Sequence, residues 1–357
     1  MLARAAVTML GMISTHVLQF RPPFDLTRTL AFVRGFSPMH GEQIVEGLRL
    51  TKAMALGGHA IGYRVEPFAF DASSVTVQLH APPEVAPDVR EAALARIAST
   101  LGADDDLEAF YAGASRDAAF APLTVRYRGL RHVRFPSPFE AACWGVINQR
   151  TSQELARRWK EALTRRAGLR IVIDGEEHWA FPEPAAVARL ELDELARLVP
   201  GGRRARAIAA LAHAFVGVSP TFLREAPVAE VREWLRAIHG VGPFTSGFVL
   251  YRGLGRFDGL PPLQARFIAA ASLVYGRPFG PGDVQALASA QGDWAGYWML
   301  YLWASTFVPP MVRPGPAMVA RSNAAFGPSA GHAAGPQSET RSCSGRPSAS
   351  ARPDSSR

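Results

Sequence analysis

The sequence predicts an α+β N-terminal domain over residues 14–120, followed by an all-α core over residues 121–309. Three observations support this fold class. Segments that alternate apolar and polar residues occur near the N-terminus, as in half-buried strands. The second part of the chain has helical periodicity, with Pro or Gly at nearly every junction. Within it, residues 227–254 contain Gly240-Val241-Gly242 between two apolar-periodic segments, which is the pattern of a helix-hairpin-helix.

The N-terminal domain is predicted to contain three strands and two helices. Residues 61–65 and 74–80 alternate at period two, as strands do. Asp25 precedes the first apolar-periodic segment, where an aspartate caps a helix. The predicted strands are 17–20, 61–65 and 74–80, and the predicted helices are 25–35 and 87–101.

The core is predicted to be helical from Ser137 onward, with one short β-hairpin over residues 169–180. Asp174-Gly175 is the turn of that hairpin, because this dipeptide tolerates positive φ at both positions. The predicted helices are 138–151, 152–167, 184–197, 203–215, 227–238, 243–254, 263–274, 281–289 and 293–306.

The charge of the chain favours a polyanionic partner. The formal net charge is +8 among 357 residues, and residues 201–270 contain nine arginines and four acidic residues. The tail over residues 310–357 is rich in Pro, Gly, Ser, Ala and Arg and has few aromatic residues, so we expect it to be disordered and basic. We expect it to be a dispensable extension; assistance to non-specific DNA contact is the alternative.

Composition excludes several classes of protein. No apolar run approaches the ~18 residues of a membrane span, so no membrane association is expected. The two cysteines, Cys143 and Cys343, supply neither a disulfide framework nor a metal-binding set. We therefore expect a reducing compartment, the cytoplasm.

The hairpin predicts contact with DNA phosphates. Gly240 and Gly242 permit a turn that side chains would block, and the next helix begins with unpaired amide groups that attract phosphate. Backbone carbonyls in such a turn can also bind a monovalent cation. A structural hairpin without DNA is the alternative. The predicted DNA contacts here are His239, Gly240, Val241, Gly242 and Thr245, and the predicted cation carbonyls are those of Arg236, Ile238 and Val241.

Residues 14–307 resemble the helix-hairpin-helix DNA glycosylase superfamily, and within it the bacterial 3-methyladenine DNA glycosylase II type. The resemblance is carried by several separate motifs as well as by the hairpin. They are Phe24-Asp25 after Pro22-Pro23, Pro138-Phe139-Glu140 through Asn148-Gln149-Arg150-Thr151-Ser152, Phe181-Pro182-Glu183-Pro184, and Gly292-Asp293-Trp294 through Trp303.

The resemblance implies that a base is flipped from the duplex into an aromatic pocket. It places four rings in that pocket: Phe32, Phe244, Phe248 and Trp294. Ordinary core packing is the alternative for Phe244 and Phe248. The resemblance also places Arg150 where a side chain fills the gap left by the flipped base, next to the DNA contact Gln149; an Arg–phosphate pair or a solvated helix-end Arg is the alternative.

Two departures from the family bear on the mechanism. Bifunctional members carry a lysine directly after the hairpin, where this chain has Phe244, and the four cysteines of an iron–sulfur cluster are absent. The family's catalytic aspartate aligns with Gln264, and a neutral amide is neither a base nor a charge stabiliser. Asp258 and Asp293 are the carboxylates that could compensate.

The sequence thus predicts a monofunctional DNA glycosylase for alkylated bases in base excision repair, slow because Gln264 replaces the aspartate. A catalytically inert DNA-damage-binding protein is the alternative, and a hairpin interaction protein unrelated to damage is a third. We expect a monomer that acts on damaged double-stranded DNA at the bacterial nucleoid. No cofactor and no iron–sulfur cluster are expected, apart from a monovalent cation at the hairpin.

Overall fold

The computed structural model describes residues 9–10, 13–257 and 263–307. All of them belong to one compact unit that ends at Pro310. The predicted disordered tail lies outside the described residues, and so does Asp258. The predicted domain boundaries at residues 120 and 310 stay predictions.

The N-terminal part contains a six-stranded antiparallel sheet with the strand order β1-β2-β6-β5-β4-β3. The three predicted strands are present, but β1, β3 and β4 were missed. Most of β4 is buried on both faces, so it lacks the alternation that marks a half-buried strand. The strands are β1 (Met9–Leu10), β2 (Ile13–Gln19), β3 (Gln43–Glu46), β4 (Arg49–Leu56), β5 (His59–Pro67) and β6 (Ser74–His80).

The helices of this part bury apolar residues in the common core. The first begins after Asp25, whose carboxylate accepts a hydrogen bond from the Arg28 amide at 3.0 Å, as the sequence predicts. Two short helices beyond residue 101 were missed because neither is long enough to show a helical period. The helices are α1 (Leu26–Gly35), α2 (Pro87–Thr100), α3 (Leu107–Ala114) and α4 (Ala121–Arg126).

The second part is helical, as predicted, with three differences. The predicted helix 184–197 is two helices, and a short α10 was missed. The predicted helix 243–254 starts as an α-helix and continues over Val249–Gly253 as a π-helical turn. The helices are α5 (Pro138–Ile147), α6 (Gln153–Ala167), α7 (Pro184–Ala188), α8 (Leu192–Leu198), α9 (Gly202–Gly217), α10 (Pro220–Glu225), α11 (Val228–Ala237), α12 (Pro243–Phe248), α13 (Ala265–Tyr275), α14 (Pro281–Ala290) and α15 (Ala295–Phe307).

The predicted β-hairpin connects α6 to α7. Its strands are β7 (Leu169–Ile173) and β8 (Glu176–Ala180), and Asp174 and Gly175 have φ values of 51° and 85°. Positive φ at both turn positions is the type I′ geometry that Asp-Gly favours. The hairpin packs on the N-terminal sheet so closely that a Cβ on Gly62 would lie 2.5 Å from Ile173.

Three buried charges and the half-buried Glu42 connect the sheet to the helices, and we call Glu42, Lys52, Glu140 and Lys160 the lysine cluster. The Lys160 amine donates to Glu42 and Glu140, at 2.7 Å in each case, and to the Pro38 carbonyl at 3.1 Å. Lys52 lies 3.6 Å from Glu42. Burial opposes ionisation of Lys160, but the two carboxylates outweigh it and raise the pKa of the amine.

Among the described residues, no helix is long and apolar enough to cross a membrane.

Candidate functional site

The hairpin joins α11 to α12 and depends on one glycine rather than two. Gly240 has φ of +83°, and a Cβ there would lie 2.3 Å from that of Ala207 on α9. Gly242 has φ of −92° and meets nothing within 4 Å of an added Cβ. The prediction that both glycines are needed for the turn is therefore corrected. Gly242 leaves open space in front of α12, but its φ is one that other residues can also adopt.

Two of the predicted DNA contacts instead fasten the hairpin to the end of α5. The Gln149 side-chain amide donates to the Gly240 carbonyl at 3.0 Å and to the Thr245 hydroxyl at 3.2 Å. Thr245 is 1% exposed, and its hydroxyl donates to the Gly145 carbonyl at 3.3 Å. The Thr245 side chain thus fills the α5–α12 contact, although the residue lines the cleft described next, and its contact with DNA stays a prediction.

An open cleft of about 810 Å³ lies along the hairpin, and we call it the hairpin cleft. Its described lining residues include no carboxylate, whereas Arg150 and Arg236 bring positive charge. Arg150 is exposed, has φ of +51° and makes no hydrogen bond or ion pair with the described part of the chain. The lining residues are Gly145, Asn148, Gln149, Arg150, residues 236–245 and Gln264.

Arg204 makes hydrogen bonds to the two residues that flank Arg150 in the sequence. Its guanidinium donates to the Gln149 carbonyl at 2.9 Å and to the Thr151 hydroxyl at 2.8 Å, and it packs over the Trp159 ring at 4.7 Å. Arg204 thus positions the segment and leaves Arg150 as the free cation in it.

A second cavity, of about 660 Å³, lies beside the hairpin cleft, and we call it the aromatic cavity. Phe244 and Phe248 line it with nearly parallel rings, 6.0 Å apart at an angle of 18°. Both predicted pocket rings of α12 are therefore brought to one cavity. Its lining residues are residues 35–38, Trp144, Asn148, Thr151, Gln153, Phe244, Phe248, Tyr251, Arg252, Gln264, Arg266, Phe267 and Trp303.

The two cavities share three lining residues, Asn148, Phe244 and Gln264, which we call the junction. Gln264 is the N-cap residue of α13, and its side chain makes no hydrogen bond with the described residues. The Asn148 carboxamide oxygen is buried and likewise has no hydrogen-bond partner among them. The junction therefore presents two amide side chains with unused hydrogen-bonding groups.

Two of the predicted pocket rings lie elsewhere. Trp294 packs against Phe110 and Tyr297 and lines a separate recess with Phe110 and Asp117. Phe32 is fully buried, with its ring edge-on to Trp303 at 5.3 Å. The prediction that these two rings line the pocket is corrected, because the described lining of the aromatic cavity includes neither of them.

Five aromatic rings of the cavity lining were missed by the sequence analysis. Phe36 follows α1, Trp144 is on α5, Tyr251 is in the π-helical turn, Phe267 is on α13 and Trp303 is on α15. Trp303 follows six consecutive large hydrophobic residues at 297–302, so no periodicity distinguishes the ring that faces the cavity.

Two arginines line the aromatic cavity and no described residue of its lining is acidic. Arg252 is 3% exposed, donates to the Val133 carbonyl at 2.9 Å, and has no carboxylate partner in the described residues. Burial lowers the pKa of Arg252 to about 10, so it stays protonated at neutral pH. Burial also lowers the pKa of Arg266, whose guanidinium lies 4.7 Å from the Trp303 ring centre.

The three carbonyls predicted to bind a cation lie at the hairpin, and one of them already accepts a hydrogen bond. Arg236, Ile238 and Val241 line the hairpin cleft together, but the Ile238 carbonyl already accepts a hydrogen bond from the Val241 amide at 3.1 Å. The cation stays a prediction.

The two carboxylates that could compensate for Gln264 are not seen at the cavities. Asp293 is exposed beside Trp294 and is absent from the lining of both cavities, while Asp258 lies outside the described residues.

The fold is shared with solved DNA glycosylases. The 3-methyladenine DNA glycosylase of Archaeoglobus fulgidus superposes with a TM-score of 0.68 at 21% identity, over 82% of this chain and 99% of that one. The chain has the helix-hairpin-helix DNA glycosylase fold. The 8-oxoguanine glycosylase/lyase of Clostridium acetobutylicum, solved with double-stranded DNA, gives a TM-score of 0.60 at 12% identity, over 85% of this chain and 98% of that one.

A curated sequence relative agrees with this glycosylase fold. The DNA-3-methyladenine glycosylase of Bacillus subtilis is 26% identical over 204 residues, which are 56% of this chain and 67% of the relative. No family model matches the chain. The predicted fold class and the predicted resemblance to 3-methyladenine DNA glycosylases are confirmed.

Proposed function

We propose that this protein is a monofunctional DNA glycosylase for alkylated bases in base excision repair. It binds damaged double-stranded DNA as a monomer, flips the base into the aromatic cavity, and releases it slowly because Gln264 replaces a carboxylate. The observation that carries the proposal is the junction, where Gln264 faces both the hairpin cleft and the aromatic cavity.

The hairpin cleft has the features of a surface for the DNA backbone. It is open, its described lining has no carboxylate, and Arg150, Arg236 and His239 lie on it. Gly242 leaves the start of α12 without an obstructing side chain. Phosphate contacts of this kind position a duplex without reading its sequence. The named relatives are DNA glycosylases, and one was solved with double-stranded DNA.

The aromatic cavity is suited to a flipped base. Its volume of about 660 Å³ is within the range of small-ligand sites, and the stacked Phe244 and Phe248 rings offer flat apolar surfaces. Arg150 lies on the neighbouring cleft with its charge unused, where it can fill the gap in the duplex or pair with a phosphate.

Gln264 sets the chemistry that this site can perform. Cleavage of an N-glycosidic bond develops positive charge on the sugar and needs an activated water, and a carboxylate serves both needs. An amide can only orient water through hydrogen bonds. Loss of acid–base assistance costs about 10²–10⁴-fold in rate, so we expect slow base release.

A catalytically inert damage-binding protein is the second candidate. It is favoured by one observation: no carboxylate lines either cavity among the described residues. This protein would keep the flipping cavity and the DNA surface but not release the base.

The test is single-turnover base release by the wild type, Gln264→Asp and Gln264→Asn. The substrates are methylated DNA and duplexes with one neutral etheno base. Gln264→Asp should raise the rate at least ~10-fold, about 1.4 kcal/mol of transition-state stabilisation. Gln264→Asn has the length of aspartate without its charge and should not raise it. Asp is one methylene shorter than Gln, so imperfect placement can limit the gain.

Binding to an abasic duplex, measured in parallel, shows that each variant is folded and binds DNA. If Gln264→Asp is no faster than the wild type while this binding is preserved, position 264 is not the catalytic site. Tight damage binding by the wild type without any base release would instead establish the inert damage-binding protein.

A further inference from the structure

We infer that the aromatic cavity selects uncharged damaged bases and discriminates against cationic N-methylated purines. The inference rests on the proposed function, since it concerns the base that the same cavity would accept. The inference is argued from the two guanidinium groups that line the cavity and from the aromatic rings against which these groups pack.

The first step concerns net charge. Arg252 and Arg266 both line the cavity, and no described lining residue is acidic. Arg252 is almost completely buried, so little water screens its charge from a base in the cavity. A purine methylated at N3 or N7 carries a formal positive charge in DNA. Placing that charge beside two guanidiniums is a like-charge contact, which disfavours the bound state.

The second step concerns the aromatic rings. Electron-rich rings usually attract a cationic base through their negative faces. Here Trp303 is already in contact with both cations, whose guanidinium carbons lie 5.6 Å (Arg252) and 4.7 Å (Arg266) from its ring centre. Arg252 also lies 5.2 Å from Phe36 and 4.9 Å from Tyr251. These rings already make cation–π contacts with the protein's own arginines. They therefore attract a cationic base only weakly.

The third step concerns what the arginines can bind instead. A guanidinium has five N–H donors, and Arg252 donates only one hydrogen bond to the described residues. Its remaining donors, and those of Arg266, suit a base with exocyclic or ring acceptors. Neutral alkylated bases keep such acceptors. The cavity therefore combines the stacked rings of Phe244 and Phe248 with donors for an uncharged base.

The test compares two bases of nearly the same shape that differ in charge. Duplexes carry 7-methylguanine, which is cationic, or 7-methyl-7-deazaguanine, which is neutral, each opposite thymine so that pairing is weak. A 2′-fluoro sugar prevents base loss. We expect the neutral base to be bound about 10-fold more tightly, about 1.4 kcal/mol. Duplexes with undamaged guanine opposite thymine and with an abasic site complete the set.

Two variants locate the source of the preference. Arg266→Gln removes an exposed guanidinium from the cavity lining and should reduce the preference to 3-fold or less. Arg277→Gln removes an exposed arginine beyond the other end of α13, which lines neither cavity, and should leave it at 10-fold. Both duplexes have the same backbone, so a general loss of phosphate affinity cancels in the ratio.

The inference is overturned if the wild type binds the cationic base as tightly as its neutral counterpart or more tightly. It is also overturned if the preference survives Arg266→Gln undiminished, since the cavity arginines would not be its source. If the abasic duplex is bound no better than the undamaged one, the proposed function itself fails, and this result is separate from the ratio of the two methylated bases.

Discussion

Phe244 lies at the junction, where the sequence resemblance places the lysine of bifunctional glycosylases, and the chain's two lysines are both in the lysine cluster. A Schiff base with an abasic sugar needs an accessible amine. We therefore expect no covalent adduct when the wild type is treated with borohydride on abasic DNA, as measured by denaturing electrophoresis.

Phe244→Lys should make such an adduct trappable, because it places an amine at the junction of the two cavities. Phe248→Lys is the matched control: it adds the same amine one helical turn later, where the side chain lines the aromatic cavity alone. A wild-type adduct that maps to Lys160 or to the N-terminal amine would contradict the monofunctional mechanism.

At the same scale, Gln264, Phe244 and Phe248 were chosen from a motif and from helical spacing, and they line one cavity, while their roles stay predictions. It could not locate Trp303. The choice between Trp294 and Trp303 depends on how α15 is rotated against α1 and α13, which no local pattern encodes. Arg252 was missed for the same reason: its burial among rings is a tertiary property.

The hairpin is the element on which DNA affinity should depend. Gly242→Asp places a carboxylate in open space before α12, and Gly242→Asn places a neutral group of the same shape there. Both residues are good helix N-caps, so stability should not fall. The aspartate variant alone should lose at least ~10-fold in affinity for all duplexes, through like-charge repulsion of phosphate.

Affinity for several unrelated duplexes at fixed salt, together with the urea midpoint, checks this prediction. Equal loss in both variants would mean that bulk matters at this position and charge does not. No loss in either would mean that phosphate does not approach α12.

Elements with strong local signals were predictable, and those without them were not. Prediction and structure agree to the residue for the β6 strand and for the Asp174-Gly175 turn. Both signals, the alternation of a strand and the residue types of a turn, depend only on neighbouring residues in the sequence. The buried β4 strand lacks the alternation of apolar and polar residues. The change from α-helical to π-helical hydrogen bonding after Phe248 is not marked by any residue type in the sequence.

For the whole molecule, the lysine cluster fastens the N-terminal sheet to the helices that carry the site. Glu42 and Lys52 come from the sheet region, whereas Glu140 and Lys160 are on α5 and α6. Lys160→Met leaves the buried Glu140 and the half-buried Glu42 without their main partner. We expect it to reduce the free energy of unfolding by about 3–5 kcal/mol, measured by urea denaturation.

The matched control lies on the same helix. Arg158→Met breaks an exposed pair with Glu154, in which both side chains are more than 60% exposed, and should cost less than about 1 kcal/mol. Similar small losses in both variants would show that the lysine cluster does not fasten the two parts together.

Because the chain contains only two lysines and both are buried, its lysine side chains are protected from acylation in the folded protein. Lys52 is 3% exposed and Lys160 is 1% exposed. Acylation of either lysine by a hydroxysuccinimide ester therefore requires the sheet and the helices to separate. Mass spectrometry should find these two lysines unlabelled in the native protein and labelled in urea, so that the extent of lysine acylation reports opening of the molecule without any substitution in the chain.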